Sequence, residues 1–329
     1  MNAGRSRTST GIVAASVIVV AVTACQGAAT PSPSAVSSVV RSAAPTASAT
    51  APPSSTPIAL PDGSGQIVFG RFESSFDDFV SYTTDPNGNG ETQLLSGPHQ
   101  LSRWSPNGAL ISITAVSGSR VFAATIKPDG SDYTELPIDD PTLNVGCMLW
   151  SPDGTRLVCE GWDDTDPTRN GIYTINASDG GGLQRVTFSP DGDHDLPGSY
   201  APDGRLVFGR IAPDRDNGLL MVVDPDGGEP EQLTEGTFGI PRISPDGETI
   251  LADHDGVLHL IPLDGGPSTP IELDGVAFGG SWSRDGAWIV FSLAARGGTA
   301  DIYRVRPDGS DLFQITSDRA QEEFADWAP

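Results

Sequence analysis

Leu149-Trp150-Ser151-Pro152-Asp153-Gly154-Thr155-Arg156-Leu157-Val158 is the stretch on which the fold turns. Its centre reads as a hairpin corner: Pro152 sets φ for the first position of a type I turn, Asp153 takes the second, and Gly154 supplies the positive φ of a bulge before the chain returns. The flanking Leu-Trp and Leu-Val pairs are strand formers. Looser copies stand at Trp104-Ser105-Pro106-Asn107-Gly108, Tyr200-Ala201-Pro202-Asp203-Gly204, Ile243-Ser244-Pro245-Asp246-Gly247 and Trp282-Ser283-Arg284-Asp285-Gly286. From Trp104 the copies are 46, 50, 43 and 39 residues apart, a period that suits four-stranded propeller blades. Helical solenoids share that period, but 39 Gly and 28 Pro leave almost no uninterrupted 3.6-residue pattern.

Between these corners lies a second hairpin: an apolar strand, an Asp-Gly or Asn-Gly turn, and a strand ending in Leu/Ile-Thr or similar. Its copies run over 79–95, 121–136, 172–187, 220–234, 257–273 and 302–316. Six second hairpins stand against five complete first ones, and the chain ends supply the difference. Phe324-Ala325-Asp326-Trp327-Ala328-Pro329 reads as an inner strand stopped at its turn, and Pro61-Asp62-Gly63 followed by Gln66-Ile67-Val68-Phe69 reads as that turn with its second strand. The expectation is an all-β, six-bladed propeller of four-stranded antiparallel blades, closed by the C-terminal strand joining the N-terminal blade. Closure removes the exposed sheet edges. The tryptophans of the phrase are read as packing between blades rather than as ligand platforms.

The N-terminal 60 residues have another character. Arg5 and Arg7 precede a 12-residue apolar run, Gly11 to Val22, which ends at Val22-Thr23-Ala24-Cys25. A basic start, a short apolar run and small residues before the break describe a secretory signal, residues 1–24, too short to span a bilayer comfortably. A cysteine directly after Val-Thr-Ala resembles a bacterial lipobox, which implies lipidation of Cys25 and an extracytoplasmic, membrane-anchored protein; an ordinary signal cleaved nearby is the alternative. Residues 25–60 are almost wholly Ala, Ser, Thr, Pro and Val with one charge, Arg41. They cannot bury enough apolar surface to order themselves and are read as a tether. Residues 61–329 remain for the propeller.

The net charge is −24, and becomes −26 once Arg5 and Arg7 leave with the signal. That sign disfavours nucleic acid and anionic headgroups, so the lipid is the expected membrane contact. Of three cysteines, Cys25 is the lipid site. Pairing Ser151 with Thr155 across the turn places Trp150 opposite Arg156, Leu149 opposite Leu157 and Cys147 opposite Cys159. An exported protein can then form the disulfide Cys147–Cys159; two free buried thiols are the alternative.

No Gly-x-Ser-x-Gly elbow or His-Glu-x-x-His motif is present, and no catalytic residue is assigned. Of the histidines, His254 reads as part of the corner Asp253-His254-Asp255-Gly256 and His259 as part of its returning strand, a spacing that matches no closed metal-ligand set. No cofactor is expected. Three acidic runs offer carboxylates for calcium, Asp85 to Glu91, Asp163 to Asp166 and Asp191 to Asp195. The first has Ser96 where a calcium loop needs its twelfth-position Glu, and all three read first as turns or solvated loops. Ser189 to Gly192 lacks a following apolar strand and reads as an insertion.

In a propeller the loops leading into the inner strands converge at one mouth. Those positions are His99, Gln100, Asn144, Asp193, His194, Asp195, Phe238, Glu322 and Glu323, with Arg103 and Arg242 deeper in the channel. Convergent polar groups at a concave mouth are the default ligand site.

The repeated Trp-Ser-Pro-Asp-Gly, then Ile-Tyr, Asp-Gly and Leu-Thr, resembles the WD40-like repeats of the TolB propeller family over about residues 61 to 329. The resemblance implies the fold. TolB carries an N-terminal α/β domain and works with an outer-membrane lipoprotein, whereas this chain has a tether in that place and reads as the lipoprotein itself. The expected function is a monomeric, non-enzymatic binding or scaffold module for a protein, peptide or glycan at the channel mouth. The alternative is a propeller enzyme, a metal-dependent lyase or lactonase-like hydrolase, with a metal held by channel carboxylates and His194 or His99.

Overall fold

The computed structural model describes residues 65–189, 193–212, 218–295 and 298–329. The expected signal, Cys25, the tether, the Pro61-Asp62-Gly63 corner and Asp191-Gly192 lie outside the described residues.

The described residues form six four-stranded antiparallel sheets. Blade one is His99–Trp104, Ile111–Ser117, Arg120–Ile126 and Thr134–Leu136, from the channel outwards. Blade two is Asn144–Trp150, Arg156–Trp162, Gly171–Asn176 and Gln184–Arg185. Blade three is His194–Tyr200, Leu206–Ile211, Leu219–Val223 and Glu231–Gln232. Blade four is Arg242–Ile243, Thr249–His254, Val257–Pro262 and Thr269–Ile271. Blade five is Val276–Trp282, Ile289–Ala294, Ala300–Val305 and Phe313–Gln314. Blade six joins the chain's two ends: Glu322–Trp327 pairs with Ile67–Glu73, followed by Asp78–Thr84 and Thr92–Gln93. Trp327 lies opposite Ile67 and Asp326 opposite Val68. Consecutive inner strands touch around the whole ring, so the six-bladed propeller is closed.

Each seam between blades holds its own apolar cluster. Ile67, Phe69, Trp288, Ile302 and Trp327 fill the seam of blades five and six. Val68, Trp104, Ile111 and Ile113 fill that of six and one. Leu136, Val145, Trp150 and Leu157 fill that of one and two. The repeated tryptophan therefore packs against the preceding blade. Trp150 Nε1 donates to Arg103 O at 3.1 Å, and Trp282 Nε1 to Arg242 O at 3.0 Å.

The corner explains why serine precedes Pro-Asp-Gly. Ser151 Oγ donates to Asp153 Oδ1 (2.6 Å) and accepts from Arg156 N (2.9 Å), while Gly154 N closes the turn onto Ser151 O at 2.8 Å. Asp153 is held down at about 2 by the Ser151 hydroxyl first and by Thr155 next. The same bonds recur at Ser244 with Asp246 and Ser283 with Asp285.

The expected register in this hairpin needs one correction. Ser151 N bonds Arg156 O, so Trp150 faces Leu157 and Leu149 faces Val158, one residue further than the Ser151–Thr155 pairing implies. A bulge between Cys147 and Leu149 then restores Cys147 to a position opposite Cys159, and the two form a disulfide. Closely similar bulges interrupt the inner strands of blades one, three, five and six. Each places one extra residue on the inner strand.

Candidate functional site

The residue before each repeated aromatic, or before Ile243 in its place, projects from the inner strand. Around the ring these residues are Asp326, Arg103, Leu149, Ser199, Arg242 and Ser281. Arg103 and Arg242 come from strands three blades apart, hence from opposite walls. Each reaches back to the bulge of the preceding inner strand: Arg103 Nη1 donates to Phe324 O at 2.8 Å, and Arg242 Nη1 donates to Gly198 O. Gly198 has to be glycine for this, because a Cβ there would stand 2.3 Å from Pro241 O.

The belt contains one carboxylate, and both its oxygens are engaged. Asp326 Oδ2 accepts from Trp104 N (2.9 Å) and Oδ1 from Ser281 Oγ (2.7 Å), which ties blade six to blades one and five. Arg103 Nε is buried without a hydrogen-bond partner. Burial, and then repulsion from Arg103, lower Arg242 to about 9, with Asp326 opposing the shift. Arg242 stays protonated at neutral pH, so this ring of six residues holds two cations against one carboxylate.

A cavity of about 330 Å³ opens at the end of the channel where the inner strands run into their Ser-Pro-Asp-Gly turns. Arg242, Asp326, Ser199 and Ser281 form its polar wall and Leu149, Trp282 and Trp327 its apolar one, with Arg284 exposed at the rim. A larger groove of about 630 Å³ lies on the outer rim between Gln232–Glu235 and Asp264–Ser268. Its lining belongs to the outer strands and turns of blades three and four, away from the inner strands.

At the opposite, loop-bearing end, the expected ligand contacts are engaged with one another. Glu322 and Asp195 are each 0% exposed. Arg71 Nε donates to Glu322 Oε1 at 2.7 Å and its two terminal nitrogens grip Glu91 at 2.8 and 2.7 Å, while Thr316 of blade five donates to the other Glu322 oxygen. Burial works against the Arg71 charge, but Glu91 and Glu322 outweigh it and hold the guanidinium above its ordinary value. Blade three repeats the arrangement: Arg210 grips Asp195 at 2.7 and 2.8 Å, and Thr187 of blade two donates to it at 2.6 Å. In both clasps the threonine also accepts an amide near the start of its own blade's third strand, Ile302 or Ile172. The buried carboxylates Glu322 and Asp195 thus join blades and do not face solvent.

The remaining expected residues are also bonded locally. Glu323 accepts from Gln321, and Asn144 Oδ1 from Val121 N at 2.9 Å. Gln100 donates to Asp78, His99 Nδ1 meets Gly97 O at 2.8 Å, and His194 Nδ1 meets Glu160. Phe238 packs beside His254 and His259, and Asp193 is half-buried beside His194. Among the described residues no group of three or more His, Cys, Asp or Glu is arranged to hold a metal ion. Asp85, the head of the first candidate calcium loop, accepts Asn87 N and Asn89 N, both at 2.8 Å, as a turn residue does.

Sequence reasoning missed Arg71 and Arg210, although both end the repeated tetrapeptide Val-Phe-Gly-Arg at Val68–Arg71 and Val207–Arg210. It also passed over Asp326, Trp282 and Arg284, which line the cavity at the turn end of the channel. No simple local signal marks them, because they meet only when six blades close.

No family model matches the chain. The uncharacterized protein Atu1656 of Agrobacterium fabrum is 28% identical over 200 residues, 55% of this chain and 59% of its own length. The uncharacterized peptidase YuxL of Bacillus subtilis is 24% identical over 206 residues, 59% of this chain and 30% of its own. The chain thus aligns with about six-tenths and three-tenths of the two curated relatives. The crystal structure of TolB from Acinetobacter baumannii superposes with a TM-score of 0.68 at 19% identity, over 82% of this chain and 67% of that one. The molecule has the fold of the TolB-like β-propellers.

Proposed function

We propose that this chain is an exported propeller, held at a membrane surface by a lipid on Cys25, which binds a protein, peptide or glycan in its central channel without catalysing a reaction. The observation that carries the binding reading is the arginine-bearing channel of a closed ring: Arg103 and Arg242 on opposite walls, with a cavity of about 330 Å³ beside Arg242. A rigid, concave and polar-lined site of this kind suits capture of a ligand. The anchor reading rests on the N-terminal residues alone, where two or more acyl chains on Cys25 give stable attachment and a single chain would not. In the enzymatic reading His99 and His194 would be ligands to a metal, yet both ring Nδ1 atoms are turned to protein partners.

The test is crosslinking on intact cells from a photoreactive group placed at Arg284 on the channel rim, with a second chain carrying Cys25→Ala. Capture of one discrete partner, lost when the group is moved to the outer rim at Asp264, supports the channel. Release of the Cys25→Ala chain from the membrane fraction supports the anchor. Equal capture from both positions removes the channel from the reading, and a stoichiometric, chelator-sensitive divalent ion in purified protein replaces it with the enzymatic one.

A further inference from the structure

We propose that the cavity at the turn end of the channel takes a single carboxylate carried on an apolar group, as at the end of a peptide whose last residue is apolar. This deepens the binding reading above and rests on it only for the partner's biological source.

The charge of the site comes first. Arg103 and Asp326 formally cancel, and Asp326 already holds Trp104 N and Ser281 Oγ, which leaves Arg242 without a carboxylate partner of its own. Ser199 Oγ accepts Ile243 N at 3.0 Å and keeps its proton to donate, and Arg284 adds a further cation at the rim. A guanidinium beside a hydroxyl donor is the pattern that carboxylates match.

The walls then choose the rest of the ligand. Leu149, Ile243, Trp282 and Trp327 line the same cavity, so the group behind the carboxylate is apolar. About 330 Å³ is near the lower limit of ligand pockets and holds roughly one or two residues. The protein's net charge of −24 repels polyanions at long range, whereas a single charge is drawn in by the local field of the arginines once within about a Debye length of 8 Å.

Three probes and two variants test this by isothermal titration of the purified full-length protein. The probes are the tripeptide Ala-Ala-Leu with a free carboxylate, its C-terminal amide, and 4-methylpentanoate. The free acid is expected to bind at least about tenfold more tightly than the amide, since a hydrogen bond to a charged group carries that much discrimination. Arg242→Gln should weaken the acid to the level of the amide. Because Arg242 also ties Gly198, Arg284→Glu on the exposed rim is the second variant; it should weaken the acid several-fold and leave the amide unchanged. Binding of 4-methylpentanoate as tight as that of the tripeptide assigns the site to a small organic acid, and weaker binding assigns it to a peptide end. Equal binding of acid and amide, binding of neither, or an acid affinity untouched by Arg284→Glu overturns the proposal. The titration uses no cells and no anchor, so its failure leaves the captured partner of the crosslinking experiment standing, and the reverse also holds.

Discussion

Blade two and blade six solve the same problem by different means. Blade two is continuous in sequence, and its inner pair is locked by the Cys147–Cys159 disulfide across a 12-residue separation. Blade six has no such link: Glu322–Trp327 and Ile67–Glu73 meet from opposite ends of the chain. Its inner pair is held by the Arg71–Glu322 ion pair, by Asp326 bridging to blades one and five, and by the clusters around Trp327 and Val68. Blade five contributes Arg304, which is 0% exposed, stacks between Trp288 and Phe313, and donates to Pro86 O at 2.8 Å in the outer turn of blade six. Blade three has a like clasp in Arg210 and Asp195, so what sets blade six apart is the set of bridges that Asp326 and Arg304 add between it and its neighbours.

The sharpest way to break the comparison is to remove residues 322–329. That deletion exposes an edge of blade six and both adjoining clusters, and the cooperative thermal transition should disappear. Next in size is Arg71→Met. It leaves Glu322 buried without its partner, a loss of about 3–5 kcal/mol by denaturant titration. Arg210→Met in blade three probes the same clasp within a continuous blade and should cost less, since its neighbouring strands stay tethered by short turns. Equal losses would show that closure places no special demand on blade six.

Reducing the disulfide, or replacing Cys147 with Ser, should lower stability by up to about 3 kcal/mol on loop-entropy grounds, without opening the ring. Labelling the unfolded, unreduced protein should find neither thiol reactive. Trp150→Phe, which removes one donor to Arg103 O, should cost about 1 kcal/mol.

The smallest effect lies at the blade five and six seam. Burial first, and Asp318 in addition, push Asp301 up to about 6 from 3.8. The folded protein therefore keeps this proton where the unfolded chain has lost it, and stability falls as pH rises from 3.8 to about 6, then levels. Asp301→Asn should raise stability at pH 7 by on the order of 1 kcal/mol, allowing for solvent screening, and leave it unchanged below the unfolded value. An equal gain at both pH values would rule out titration of Asp301 as the cause.

The fold was legible because propeller blades are local objects. Ser-Pro-Asp-Gly makes its turn from its own side chains, strand alternation is written in adjacent residues, and the broken phrase at the two ends named the strands that close the ring. The disulfide was reached through a register one residue out at Trp150, and a bulge that the sequence does not mark brought the two cysteines together. The channel was a different matter. Charged residues at the loop end, such as Glu322 and Asp195, look like ligand contacts until Arg71 and Arg210 are seen to neutralise them from the neighbouring strand. Arg242, Ser281 and Asp326 lie far apart in sequence and share a wall only because six inner strands converge. Composition and local turn chemistry determined the blades and their number. The burial of each charge was decided by packing between blades, since desolvation and ion pairing depend on neighbours that only the closed ring supplies.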